Sequence, residues 1–575
     1  KGIRPRASQR TGDAEARAGR DHPRRGSADG RRADFASGAS AGSGTPQADS
    51  RTYRRGQSVD AFSPLTGVPR GREGLAFNPK QILQREIEAR SQKMSSNWQK
   101  KITRSMTEEN LEEIERPWRK LHVVCAKLPF TVIWDEESSE MSYERDPFEA
   151  NLAEILAAEI ADGKVRGPLG VKPEEVVLVG APVVRRASDR SLISVYEDKL
   201  QHDLDSFLRE EMKVVPVFPP PGRDRFADLV IFPLFHYTPP SMETGIGLYD
   251  WDGYELVNES FKTVVLSVYR PGDLVFIHDY PLMLLPKLLR KERPDICIGI
   301  YIHCVFPSSE VYRILPQREE LLRGVLSSNV IGFHNFQYVR HFLTASTRIL
   351  GCECSASGIE ACEDAGGTLT KVIAVPMGID LEPYEHSFHK EATRERIREL
   401  FGVFGDRKII VASDKLEEKK GIPHKIMAFH KFLQKNPEWA KECVFLQLVE
   451  AAEESEDGLA ETTEANKRLL EQVYQMVGEV NSAFGSIGHM PLHFLYKDVS
   501  RCDLTALMVK AHVFMDTPLR DTLSRSAHEF VWCQEETETG VLILSEFSGS
   551  AQSLRAAAVC VNPWDTNGFA DAIQE

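Results

Sequence analysis

From residue 120 onward, short apolar runs alternate with longer amphipathic stretches. The first series comprises Leu121–Cys125, Glu175–Val179, Leu229–Phe232, Asp273–Ile277, Ile296–Ile302, Val330–Phe333 and Lys371–Val375. Continuous β-branched and apolar runs of this length read as strands buried on both faces. The stretches between them, such as Pro281–Lys291 and Ser309–Leu326, have helical length. Alternation of this kind predicts an α/β fold with parallel, doubly wound sheets. A second series follows at Lys408–Ala412, Val444–Val449, Leu492–Leu495, His512–Met515, Val541–Leu544 and Ala558–Val561. The proline, glycine and acidic stretch Pro376–Pro383 lies between the two series. It sets a boundary between an N-terminal domain, 118–385, and a C-terminal domain, 386–575. Two such sheets facing each other leave a cleft at the carboxyl ends of their strands, where open α/β sheets bind ligands.

Upstream the pattern fades. Residues 78–117 space their apolar positions thinly among charges, which predicts a helical linker. Residues 1–77 are rich in Arg, Gly, Ser, Ala and Asp without periodicity. Such a segment buries too little apolar surface to offset its chain entropy, so a disordered basic tail is expected. An anionic-partner arm or a phosphorylation segment around Arg54–Ser58 is the functional reading of this tail; a solvated tail is the simpler one.

Charge sharpens the division. Residues 1–75 hold 15 Lys+Arg and 8 Asp+Glu, so with a whole-chain charge of −14 the remainder carries −21. An acidic body argues against nucleic acid as its ligand. Hydrophobic content of 42% and charged content of 27% are ordinary for a cytoplasmic protein. No apolar run approaches the ~20 residues that cross a bilayer, and no signal pattern opens the chain. The ten cysteines are sparse, which speaks against a disulfide framework. Cys352, Cys354 and Cys362 cluster without a histidine at zinc-like spacing, so no metal is expected. The chain starts without methionine and stops at Glu575 in a helix-like stretch, as a fragment would.

Several blocks are recognisable. Pro271–Pro286, with His278-Asp279-Tyr280, is followed by Ile302–Glu310, with His303 and Pro307-Ser308-Ser309-Glu310. Further blocks are Phe232–Tyr237, Ile331-Gly332-Phe333, Val375–Asp380, Lys420-Gly421-Ile422-Pro423, Thr517–Asp521 and Gly540–Gly549. In this order they resemble the trehalose-6-phosphate synthases, glycosyltransferase family 20, over residues 120 to 575. The resemblance implies a GT-B fold of two facing Rossmann-like domains, acceptor-binding then nucleotide-sugar-binding. It also implies retaining transfer of glucose from UDP-glucose to glucose 6-phosphate, with no cofactor and no obligatory metal. Active synthase or phosphatase subunits are the implied protein partners.

The resemblance assigns roles by position. Without a metal, cations and helix N-terminal amides must carry the diphosphate charge. The family's arginine and lysine fall at Lys415 and Lys420; a lysine lacks the bidentate fork of a guanidinium. Asp521 falls where donor-sugar hydroxyls are held, and Glu529 where ribose is held. His303 faces the reacting centre, Asp279 the acceptor, and Lys127 replaces an arginine that contacts the acceptor phosphate. Each of these side chains also has a bland reading, as a surface lysine, a helix glutamate or a satisfied core histidine.

Departures are numerous. The Gly-Gly-Leu loop has no counterpart; the nearest segment is Asn151-Leu152-Ala153-Glu154. Asp-Gly-Met-Asn-Leu has become Asp521-Thr522-Leu523-Ser524-Arg525, and a Pro-Ser-Arg element is replaced by Glu450–Ser455. Loss of one preorganised donor typically costs ~100–1000-fold in rate. Three readings remain open: a regulatory or weakly active synthase-like protein (a pseudoenzyme in the limit), an active glucosyltransferase, and a non-catalytic partner-binding scaffold.

Overall fold

The computed structural model describes residues 119–575 apart from 137, 139, 145–174, 194, 196–197, 221–224, 239–250, 356–357, 361–368, 380, 451–459 and 536–539. The expected tail and linker, and the segment Asn151–Glu154, lie outside the described residues.

The first sheet holds β1 (Leu121–Trp134), β2 (Met141–Glu144), β3 (Val176–Arg186), β4 (Val214–Pro216), β5 (Leu274–His278), β6 (Cys297–Ile302) and β7 (Val330–Phe333). It continues through β8 (Cys354–Ser355), β9 (Gly358–Glu360) and β10 (Leu369–Ala374). Its order is β4-β3-β1-β5-β6-β7-β10-β9-β8, with β2 paired antiparallel to β1. The central pairings β3-β1-β5-β6-β7-β10 are all parallel. The second sheet holds β11 (Lys408–Lys415), β12 (Cys443–Glu450), β13 (Leu492–Tyr496), β14 (Val513–Asp516), β15 (Val541–Ser545) and β16 (Ala558–Val561). Its order is β13-β12-β11-β14-β15-β16, parallel throughout. Both sheets reverse direction of growth beside a central strand, and that reversal opens a crevice at the carboxyl ends.

Burial explains the strands. Val444, Phe445, Leu446, Leu448 and Val449 on β12 are buried on both faces because helices cover the sheet above and below. The helix Ile422–Lys435 packs Ile426, Phe429 and Leu433 against one face. On the other, Arg501–Lys510 buries Leu504, Leu507 and Met508.

Several expectations change. Ser309–Leu326 is two helices, Ser309–Tyr312 and Arg318–Leu326, and the strand expected at Glu175–Val179 runs from Val176 to Arg186. Leu229–Phe232 is not a strand: Ala227–Ile231 is a π-helical turn running into the helix Phe232–Phe235. Phe226, Ala227, Val230, Ile231, Leu234 and Phe235 are all buried, and their four-residue spacing is helical rather than alternating. The strand expected at Leu121–Cys125 runs on to Trp134, with register shifts between Cys125 and Thr131. Those irregularities let its second half pair with β2 as well.

Candidate functional site

The second sheet places its chemistry at the carboxyl ends of β11, β12 and β14. A cavity of about 280 Å³ there is lined by Lys415, Lys420, Glu450, Arg501, Arg525 and Glu529, together with Asp414 and Asp516. Lys420 reaches it by a short turn. Gly421 has φ of +67°, and a Cβ there would stand 2.9 Å from the Thr517 carbonyl. Only glycine both reverses the chain and clears that carbonyl, while Pro423 starts the following helix.

Lys420 Nζ donates to Asp521 Oδ2 at 2.5 Å. Burial disfavours both charges, but each is the other's remedy. The Asp521 carboxyl is held down at about 2, chiefly by Lys420, and the Lys420 ammonium is pushed above its ordinary value by Asp521. The segment carrying Asp521 is pinned from behind. The Asp521 carbonyl accepts from the Gly549 N–H at 2.9 Å, and the Ser524 N–H donates to Ser550 Oγ at 2.7 Å. Thr522, where the resemblance implies a glycine, is not among the described residues with positive φ.

Beneath the cavity lies a buried ion pair absent from the sequence reading. Lys425 Nζ donates to both oxygens of Asp414 at 2.6 Å, and Gln447 Nε2 donates to Asp414 Oδ2 at 2.8 Å. Burial raises neighbouring Asp516 to about 6, against the pull of Lys425 and Lys420. Glu529 is also engaged: Tyr384 Oη donates to its Oε1 at 2.6 Å, and Arg501 stands 2.8 Å from its Oε2. Arg501 meanwhile stacks over the Tyr384 ring at 4.5 Å, and Ser500 caps its helix.

The first sheet presents a histidine-rich edge. His278 ends β5, His303 follows β6 and His334 follows β7. His278 Nδ1 and His303 Nε2 share a hydrogen bond of 2.9 Å, one ring donating and the other accepting. Burial lowers both, and His278 is held well below 6.5. Asp279 has φ of +70° and ψ of 177°, a conformation expensive for any residue with a Cβ. Its carboxylate accepts the N–H groups of His303 at 2.9 Å and Cys304 at 3.3 Å. Lys127 sits exposed on β1, two residues beyond the Cys125 that pairs with His278.

The two edges meet. Lys419 Nζ lies 4.1 Å from the centre of the Phe232 ring, Arg520 stacks over Tyr237 at 4.3 Å, and Tyr338 Oη donates to the Asp521 carbonyl at 3.3 Å. His334, pushed to about 4 by burial and by His528 and His303, also feels the Asp521 carboxylate.

The family model for glycosyltransferase family 20 matches residues 120–575. The chain belongs to glycosyltransferase family 20. It is 39% identical over 351 residues to the UDP-forming alpha,alpha-trehalose-phosphate synthase A of Dictyostelium discoideum, covering 60% of this chain and 45% of that protein's length. It is 39% identical over 356 residues to the UDP-forming synthase of Yarrowia lipolytica, covering 61% and 73%. In structure it resembles the N-terminal domain of the Candida albicans trehalose-6-phosphate phosphatase, with TM-score 0.65, 30% identity and coverage of 79% and 88%. The two-sheet architecture is therefore the GT-B fold of this family.

Within that family-20 framework, Lys415, Lys420 and Glu529 share one cavity, and Asp521 joins it through Lys420. Asp279 and His303 are bonded to each other on the opposite edge. The cavity lining does not include Lys127. Sequence reasoning passed over Lys425, Asp516, Arg501, Tyr384 and His334. His334 had a readable signal, since it directly follows the expected strand Val330–Phe333. The described residues contain no group of three His, Cys, Asp or Glu placed to hold a metal, and no helix long and apolar enough to cross a membrane.

Proposed function

We propose that this chain is a trehalose-6-phosphate synthase-like protein of trehalose metabolism, acting as a regulatory or weakly active member of its family. The observation that carries this reading is the 2.5 Å bond between Lys420 and Asp521. The resemblance gives the lysine to the donor diphosphate and the carboxylate to the donor sugar. Here each neutralises the other, and a ligand must break a largely buried ion pair to recruit either. Lys415 in place of an arginine and Glu450 on the cavity wall weaken the anion site further. The likeness to the N-terminal domain of a protein named as a phosphatase is in keeping with a role other than turnover.

On this reading residues 386–575 hold UDP-glucose, residues 118–385 face glucose 6-phosphate, and synthase or phosphatase subunits are the partners regulated. A second reading, an active glucosyltransferase, is favoured by Asp279 and His303 standing together at the ends of neighbouring strands, where the Asp279 carboxylate accepts the His303 N–H. Paired titration calorimetry and UDP-release assays decide between them. Micromolar binding of UDP-glucose with turnover below about one per cent of an active family synthase supports regulation. Turnover at the level of such a synthase overturns it.

A further inference from the structure

The cations around the second-sheet cavity differ in how far their charge is already committed. Lys420 is bound to Asp521, Lys425 to Asp414, and Arg501 to Glu529 while stacked on Tyr384. Lys415 also has an interaction of its own. Arg525 stands apart: it lines the cavity half-buried, and among the described residues it takes no carboxylate or carbonyl partner. It is the first residue of the nine-residue helix Arg525–Cys533, whose Ser524 cap accepts the Ala527 N–H and leaves the other first-turn amides without intrahelical partners. The guanidinium and the positive end of the helix therefore act on the same space.

A second, independent feature points to a ligand. Asp516 lines the same cavity, is only 6% exposed, and its Oδ2 has no hydrogen-bond partner; the neighbouring Ser524 side chain eases its charge, yet burial still raises the carboxyl to about 6. A buried carboxylate oxygen without a donor is costly unless a ligand supplies one. A ligand satisfying both ends carries an anion for Arg525 and a hydroxyl for Asp516, which describes a phosphate ester of a sugar or nucleoside. The cavity's size is near the lower end of the ~300–1,000 Å³ common for small-molecule sites. It suits the phosphate and one ring of such an ester. A guanidinium supplies a planar, bidentate group matched to a phosphate.

We propose that Arg525 is the phosphate-gripping, specificity-determining residue of this cavity, with Asp516 accepting a hydrogen bond from a hydroxyl of the same ligand. The proposal rests on the cavity being a ligand site, as in the function proposed above, and relocates its anion grip from Lys415 and Lys420 to the helix start.

The test is calorimetric titration of the full chain and of Arg525→Leu, Arg525→Lys, Lys415→Leu and Asp516→Asn, using UDP-glucose, UDP, glucose 6-phosphate and inorganic phosphate. Unfolding midpoints of each variant control for folding. Arg525→Leu is expected to weaken binding about tenfold or more, and more than Lys415→Leu does, with Arg525→Lys recovering part of the loss. Asp516→Asn is expected to weaken the hydroxylated esters and leave inorganic phosphate within about twofold. Loss confined to UDP and UDP-glucose identifies a nucleotide ester, and loss confined to glucose 6-phosphate a sugar ester. If the wild-type chain binds and Arg525→Leu stays within about twofold of it, the assignment of Arg525 is wrong while the cavity reading stands. If the wild-type chain binds none of the four at millimolar concentration, both fall together.

Discussion

The carboxylate of Asp279 accepts the backbone N–H of His303 at 2.9 Å, joining the ends of two neighbouring parallel strands. Asp279 is held to this task in a backbone conformation normally reserved for glycine, with φ of +70°. Strain of this kind persists where surrounding structure over-determines it, and such sites concentrate where ligands are handled.

Asp279→Ala and Asp279→Gly separate strain from bonding. Both lose the acceptor for the His303 and Cys304 amides, but only glycine relieves the positive φ. Asp279→Gly should be more stable than Asp279→Ala by about 1 kcal/mol in urea unfolding. Equal stability would mean the backbone at this position is not strained.

Lys425 is fully buried against Asp414. Lys425→Met should cost about 3–5 kcal/mol, because it strands a carboxylate in the core of the second sheet. Adding Asp414→Asn should recover a substantial part, since no uncompensated charge then remains. Chemical denaturation of the single and double variants reads this directly.

The Lys420–Asp521 pair sets an acid dependence. The Asp521 carboxyl lies at about 2 in the folded chain against 3.8 ordinarily, so its contribution is present above pH 4 and fades as pH falls towards 2. Asp521→Asn should lose roughly 2 kcal/mol at pH 7 and almost nothing near pH 2. A loss independent of pH would assign the effect to packing instead.

Buried histidines act in a higher window. His236 and His334 both fall from 6.5 to about 4, chiefly by burial, so the folded chain binds fewer protons than the unfolded one between those values. Stability is complete above pH 6.5 and declines on acidification. Replacing His236 by glutamine should flatten that decline by up to about 1.4 kcal/mol per pH unit. Denaturation midpoints at pH 7, 6 and 5 measure the slope.

Gly549 is sterically obligatory. A Cβ there would stand 1.9 Å from the Thr522 carbonyl and 3.1 Å from His334. Gly549→Ala should displace the Asp521–Ser524 segment, lower stability by about 1–3 kcal/mol, and weaken any phosphate-ester binding measured alongside. Unchanged affinity would uncouple that segment from the ligand site.

Much of the fold was legible in the chain itself. Val330–Phe333 and Ala558–Val561 are strands at the limits their apolar runs implied; the first is interior and largely buried, so it must be apolar, while the second is a half-buried edge strand whose small apolar residues still fit a pleated surface. Leu229–Phe232 was misread because a four-residue apolar run has the same composition on a strand and on a helix. Only the wider spacing from Phe226 to Phe235 distinguishes them.

By itself the sequence determined most of the central strands of both sheets, the acidic body, and the blocks that place the chain in its family. These depend on local periodicity and on residues adjacent in the chain. Tertiary structure alone decided how charges pair: Lys420 with Asp521, 101 residues away, Glu529 with Tyr384, 145 away, and Tyr338 with the Asp521 carbonyl across the cleft. An ion pair is a matter of ångströms between side chains, and a spacing of a hundred residues carries no ångströms until β11 and β14 stand side by side in the second sheet.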